Sequence, residues 1–192
     1  IDLKYNKMVQ HSNPRILKVK DLSLNSSNEI ELNGFRISIF HREGDPDNAN
    51  RISVKNKHME VEFLPSKGLS ISQARIFEKP IFWEPPIDLV DTEELDLWSD
   101  EISINGEPSP GFTFLKTLYG GLEFYGLTNW GMPTTKNGKL EILHGETSNI
   151  PVEEIQFGNN DILIVDHREH RELLNTISYK FLAVLSMFSV VK

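Results

Sequence analysis

Two six-residue runs constrain this chain more than anything else in it. FRISIF at 35–40 and MEVEFL at 59–64 place apolar and polar residues alternately, the period of a strand that buries one face. Pro65 stops the second run, because a proline has no N–H to give to a central ladder. Residues 69–76 and 80–83 are third and fourth strand candidates. Helical periodicity is scarce: only 93–98 and 112–118 could form single helical turns, while 12 glycines and 10 prolines punctuate the rest. Residues 136–139, Lys-Asn-Gly-Lys, hold the Asn-Gly pair favoured in a tight hairpin, so the chain should double back there and return along 140–143. The pattern predicts an all-β fold of antiparallel strands packed as a sandwich. Residues 1–30 show neither period and read as an irregular arm with at most one short strand, around 16–22.

Charge narrows the class of partner. A formal net charge of −8 argues against nucleic acid, whose phosphates reward clustered Lys and Arg. The absence of cysteine removes disulfides, thiolate nucleophiles and Cys-based zinc sites. No basic-then-apolar leader is visible, and residues 181–191 form an apolar run too short to cross a bilayer, which takes about 20 residues as a helix. A cytoplasmic location and no membrane partner are expected. The chain opens on Ile1 rather than Met, so a start further upstream is also expected. Residues 84–101 carry eight carboxylates and no basic residue. That composition reads as a solvated surface loop, with a cation site as the sharper alternative. No phosphate-cradling glycine loop, serine nucleophile elbow or metal-binding histidine pair on a helix is present, and no metal or cofactor is expected.

Chemistry concentrates in 120–149. Gly120-Gly121 lets backbone approach a neighbour or a ligand closely, and Gly126 and Gly131 add two further positions without a Cβ. The predicted return strand delivers His144-Gly145 at its end, where a neutral imidazole offers both a donor and an acceptor to a small ligand. A structural, hydrogen-bonded histidine fits the same pattern. Trp83, Trp98 and Trp130 are open in the same way: each suits an aromatic face for a sugar or an apolar anchor. His167 and His170, three apart in a charged patch, read as a solvated turn or helix face.

A set of landmarks in one order adds to this. Pro65-Ser66-Lys67-Gly68-Leu69-Ser70-Ile71, Ile81-Phe82-Trp83 with Pro85, Gly111-Phe112 through Leu115, Tyr119-Gly120-Gly121-Leu122, Gly126-Leu127-Thr128-Asn129, Leu143-His144-Gly145 and Ser148-Asn149-Ile150-Pro151 resemble the aldose 1-epimerase-like family DUF4432, of the galactose mutarotase-like superfamily. The resemblance covers roughly 60–152. It implies a large antiparallel supersandwich with a sugar cleft on one sheet, partial in this chain and spanning 31–165, followed by a divergent tail, 166–192.

Mutarotation opens a cyclic sugar at its anomeric carbon and recloses it on the other face. It needs a base for the anomeric hydroxyl and an acid for the ring oxygen, each giving of order 10²–10⁴-fold. In the family these are a glutamate and a histidine beyond the His-Gly pair, and nothing in 146–192 matches them, so the chain is expected to stop short of them. A second histidine, the one followed by glycine, binds the sugar oxygens, and His144 is the residue that matches it. The resemblance implies His144 as the catalytic residue of this stretch, with Asn129, Trp83, Trp130, Lys67 and Glu146 facing a monosaccharide or sugar derivative. Glu146 departs from the family, which commonly has arginine there. Three functions stay open: a sugar epimerase, a sugar-binding domain without the acid–base pair, and a structural β-sandwich that binds a protein partner.

Overall fold

The computed structural model describes residues 15–18, 29–32, 34–47, 49–91, 95–99, 102–125, 128–152, 154–157, 162–172 and 175–185. Among them it is all-β, and every strand pairing is antiparallel. The strands are β1 (Arg15–Lys18), β2 (Glu29–Leu32), β3 (Phe35–Phe40), β4 (Arg51–Lys55), β5 (Met59–Leu64), β6 (Ser70–Ile76), β7 (Lys79–Pro80), β8 (Ser103–Ile104), β9 (Glu107–Pro108), β10 (Thr134–Lys136), β11 (Lys139–Glu141), β12 (Glu154–Phe157), β13 (Ile162–Glu172) and β14 (Asn175–Leu185). The chain divides into two units, one of Leu22–Val152 and the other of Ile1–Asp21 with Glu153–Lys192.

The larger unit is built on a six-stranded meander in the order β2-β3-β4-β5-β6-β7. The alternation at 35–40 and 59–64 gives β3 and β5 with the bounds the sequence predicts. Cross-strand register stacks Ile37, Val54, Val61 and Ala74 in one row and Ile39, Ile52, Phe63 and Ile71 in the next, and all eight are buried. Pairing jumps from Glu62–Gln73 to Phe63–Ile71, so Ser72 is an extra residue in β6, a bulge that adds local twist.

The opposite face of the sheet is polar yet also buried, which a half-buried strand reading of the sequence does not anticipate. Arg51 is fully buried and forks onto Asp45, with Nε donating to Oδ2 at 2.6 Å and Nη2 to Oδ1 at 2.8 Å. Glu62, 3% exposed, accepts from Arg42 on both oxygens at 2.7 and 2.9 Å and from Arg75 at 2.6 Å. Such forks satisfy a carboxylate's lone pairs at fixed geometry, so charge can be buried without being left unpaired.

The fourth strand candidate, 80–83, is shorter than predicted: β7 ends at Pro80. The Gln73 side chain continues the ladder, its amide donating to Phe82 O and accepting from Phe82 N, each at 3.2 Å. Residues 113–117 form a 3-10 turn where a helical turn is predicted. For 93–98 the described part, 95–98, contains no helix, and 93–94 lie outside the described residues. The acidic stretch carries no strand among its described residues and is anchored by buried Leu89 and Leu97, leaving Trp98 about half exposed.

In the smaller unit the sheet order is β1-β12-β13-β14. The strand predicted around 16–22 is β1, and 19–22 lie outside the described residues. His167 and His170 lie in β13, which corrects the turn or helix reading: an odd separation along a strand puts the two positions on opposite faces. Residues 181–185 of the apolar run belong to β14, and 186–191 lie outside the described residues.

Candidate functional site

The Asn-Gly turn forms as predicted. Asn137 and Gly138 have φ of +53° and +77°, the left-handed pair a two-residue turn needs between β10 and β11. The return strand stops at Glu141, however, three residues before His144. His144 lies instead in a turn closed by Gly145 N–H donating to Ile142 O at 3.1 Å, with φ of +58°. That conformation is uncommon for a residue with a Cβ, and histidine is among those that tolerate it.

Asn129 imposes this turn on the neighbouring loop. Its Nδ2 donates to the carbonyls of Gly131 (3.2 Å), Met132 (2.9 Å) and Ile142 (2.8 Å), and its Oδ1 accepts from Gly131 N–H at 3.3 Å. His144 N–H donates to Gly131 O at 3.0 Å. Loop 129–132 is thus sewn to 142–144 by side-chain and loop bonds rather than by a hairpin ladder. We expect Asn129→Ala to destabilise the fold by about 1–3 kcal/mol through lost and orphaned bonds, and to broaden amide resonances of 129–132 and 142–144 selectively.

The imidazole itself is tied on one nitrogen. His144 Nδ1 lies 3.2 Å from Trp130 O. A carbonyl oxygen can only accept, so the proton of this bond is on Nδ1, and in the neutral ring the lone pair is on Nε2. The ring is half-buried in a triangle of aromatics: Phe114 meets it edge-on at 5.6 Å and 74°, Tyr125 lies at 4.8 Å and 35°, and Phe114 and Tyr125 are 5.6 Å apart. Phe114 is 1% exposed and Tyr125 39%, so the triangle runs from core to surface. Burial, with help from the Glu123 charge, holds the Tyr125 phenol above its ordinary range and keeps it protonated.

The remaining sequence candidates scatter. Trp130, whose carbonyl takes the His144 bond, is 77% exposed. Trp83, 68% exposed, belongs to another neighbourhood, its carbonyl 3.3 Å from where a Gly120 Cβ would be. Glu146 is buried at 8% and opens the 3-10 turn Thr147–Asn149. Lys67 is 1% exposed, and its Nζ donates to Thr117 O and to Glu123 Oε1, the latter at 2.8 Å. Tyr125, Phe114 and Glu123 are the neighbours of this site that sequence reasoning missed. No local sequence pattern marks them: Glu123 is buried and Tyr125 exposed, and they pair with Lys67 and His144 across long stretches of sequence.

Comparison with known proteins shows a fold. No family model and no curated protein matches the chain. A solved structure described as a "putative aldose 1-epimerase", from Klebsiella pneumoniae subsp. pneumoniae MGH 78578, is similar to 90% of this chain with a TM-score of 0.56 and 15% sequence identity. The chain spans 43% of that protein's length. At this identity the match shows a shared fold alone, a β-sandwich in agreement with the antiparallel all-β architecture.

Proposed function

We propose that the chain binds a monosaccharide or sugar derivative at the His144 loop, as an aldose 1-epimerase-like domain whose mutarotase activity is incomplete. The observation that carries this is the fixed imidazole: Nδ1 is committed to Trp130 O, so Nε2 is the ring atom with chemistry to offer, and the ring packs against Phe114 and Tyr125, of which Tyr125 is exposed. A sugar presents alternating hydroxyls and an apolar face, which such a pairing of one polar atom with aromatic faces suits. The fold likeness and the order of the sequence landmarks support the same reading. Asn129 serves it by holding the loop, and Lys67 by its buried bond to Glu123, two residues before Tyr125.

His144 can orient and polarise a sugar oxygen, but one group does not supply both proton transfers. We expect polarimetry of freshly dissolved α-glucose or α-galactose to show no acceleration over buffer. Amide chemical shifts of residues 129–132 and 142–145 are expected to titrate with millimolar sugar, and His144→Asn, which retains tolerance of positive φ, to weaken that binding about tenfold, the equivalent of one hydrogen bond of about 1.4 kcal/mol. No shift with any aldose would overturn the proposal. It would favour the alternative of a β-sandwich that binds a protein, for which the exposed Trp83, Trp130, Met132 and Phe77 supply apolar surface.

A further inference from the structure

We infer that Tyr125 is a positioning residue for His144, holding the imidazole in the one orientation that presents Nε2 outward, with the Lys67–Glu123 pair fixing Tyr125 in turn. The inference rests on the reading of the His144 loop as the binding site. One hydrogen bond from Nδ1 selects which nitrogen faces Trp130 O, but a terminal ring torsion is broad and two-fold, so that bond alone leaves the ring free to swing. Neighbours that restrict the swing are needed. Phe114 meets the imidazole edge-on at 5.6 Å and, at 1% exposure, is part of the core. Tyr125 lies against it at 4.8 Å and 35° from the rim, and with 5.6 Å between their own centroids the two rings form a corner on one side of the imidazole.

Tyr125 can do this because the chain before it is pinned twice. Leu122 exchanges both backbone hydrogen bonds with Ile71, at 2.8 and 2.9 Å. Glu123 Oε1 then accepts from Lys67 Nζ at 2.8 Å and from Tyr119 N–H at 3.0 Å. Two residues on, Tyr125 inherits that placement. Glu123 Oε2 is buried with no hydrogen-bond partner among the described residues, an uncompensated cost for a group whose role is packing alone. A carboxylate that aims the following segment accounts for its retention.

Ring ¹⁵N–¹H correlation spectra of the intact chain test this without any ligand. Wild type should show a single Nδ1–H tautomer, with His144 ring protons shifted by the Tyr125 ring current. Tyr125→Phe should preserve both signatures. Tyr125→Leu should lose the ring-current shift and give a mixture of tautomers, and sugar affinity, where measurable, should fall about 2- to 10-fold, the value of one aromatic pair. Glu123→Gln retains the Tyr119 contact and should give an intermediate spectrum. A folded Tyr125→Leu variant with an unchanged tautomer overturns the inference, as does a wild-type His144 with no ring-current shift, which needs no variant to fold. Absence of sugar binding with the tautomer dependence intact would instead overturn the proposed function alone.

Discussion

Gly121→Ala is expected to leave no folded protein. A Cβ at Gly121 would stand 1.7 Å from Ile71 O and 2.7 Å from its carbonyl carbon, both backbone atoms of β6. No rotamer change relieves a clash with backbone, so the chain would have to surrender the paired bonds between Leu122 and Ile71. The left-handed φ of +38° adds strain for any residue with a Cβ. Together these exceed the roughly 4–5 kcal/mol at which a single substitution is exceptional, against a total of about 5–15 kcal/mol for an ordinary domain. Gly138→Ala is the control. It has φ of +77° and open space around it, so only conformational strain acts, at about 1 kcal/mol. Soluble yield and thermal melting of the two variants should differ sharply. Similar melting for both would mean that the Gly121 contact relaxes at little cost.

That glycine also shows what the sequence makes legible and what it withholds. Gly120-Gly121 announces a close approach, but only tertiary structure says that the neighbour is Ser72 and Ile71 rather than a ligand. Period-two alternation locates β3 and β5 because side-chain direction follows directly from strand geometry. It says nothing about what covers the polar face, so buried Glu62, ringed by Arg42 and Arg75 from other strands and loops, looks like an ordinary solvent-facing residue. His144 and Asn129 are visible through local turn chemistry, and the bonds that join their loops, Asn129 to Ile142 and His144 to Trp130, cross only 13 and 14 residues of sequence. Tyr125, Phe114 and Glu123 are not visible, because their roles depend on pairings with β6 and with Lys67, which lies 56 residues from Glu123. Lys67 itself falls in a landmark motif, yet its burial follows from Thr117 and Glu123, which no local pattern ties to it.

Lys67→Met is the second change expected to have a large effect, and its size follows from what it leaves behind. Lys67 and Glu123 side chains are 1% and 4% exposed. Taking away the ammonium strands a carboxylate in the interior with Tyr119 N–H as its one remaining donor among the described residues, at a cost of about 3–5 kcal/mol. Replacing both partners is different, because the desolvation penalty then disappears with the charges. Lys67→Met/Glu123→Gln should therefore be more stable than Lys67→Met alone, by about 1–3 kcal/mol, with the Gln carbonyl still accepting from Tyr119. The pH dependence has a definite sign. Burial lowers the Lys67 pKa below 10.5, against the opposing pull of Glu123, so between that lowered value and 10.5 the unfolded chain holds a proton that the folded chain has shed. Stability contributed by this group then rises with pH across that window. Wild type should gain on Lys67→Met as pH climbs toward 10.5 in denaturant titrations, the difference isolating Lys67 from the tyrosines. A gap that narrows instead would mean that the ammonium is better solvated than its 1% exposure implies. A double variant no more stable than the single one would show that the two side chains are not energetically coupled.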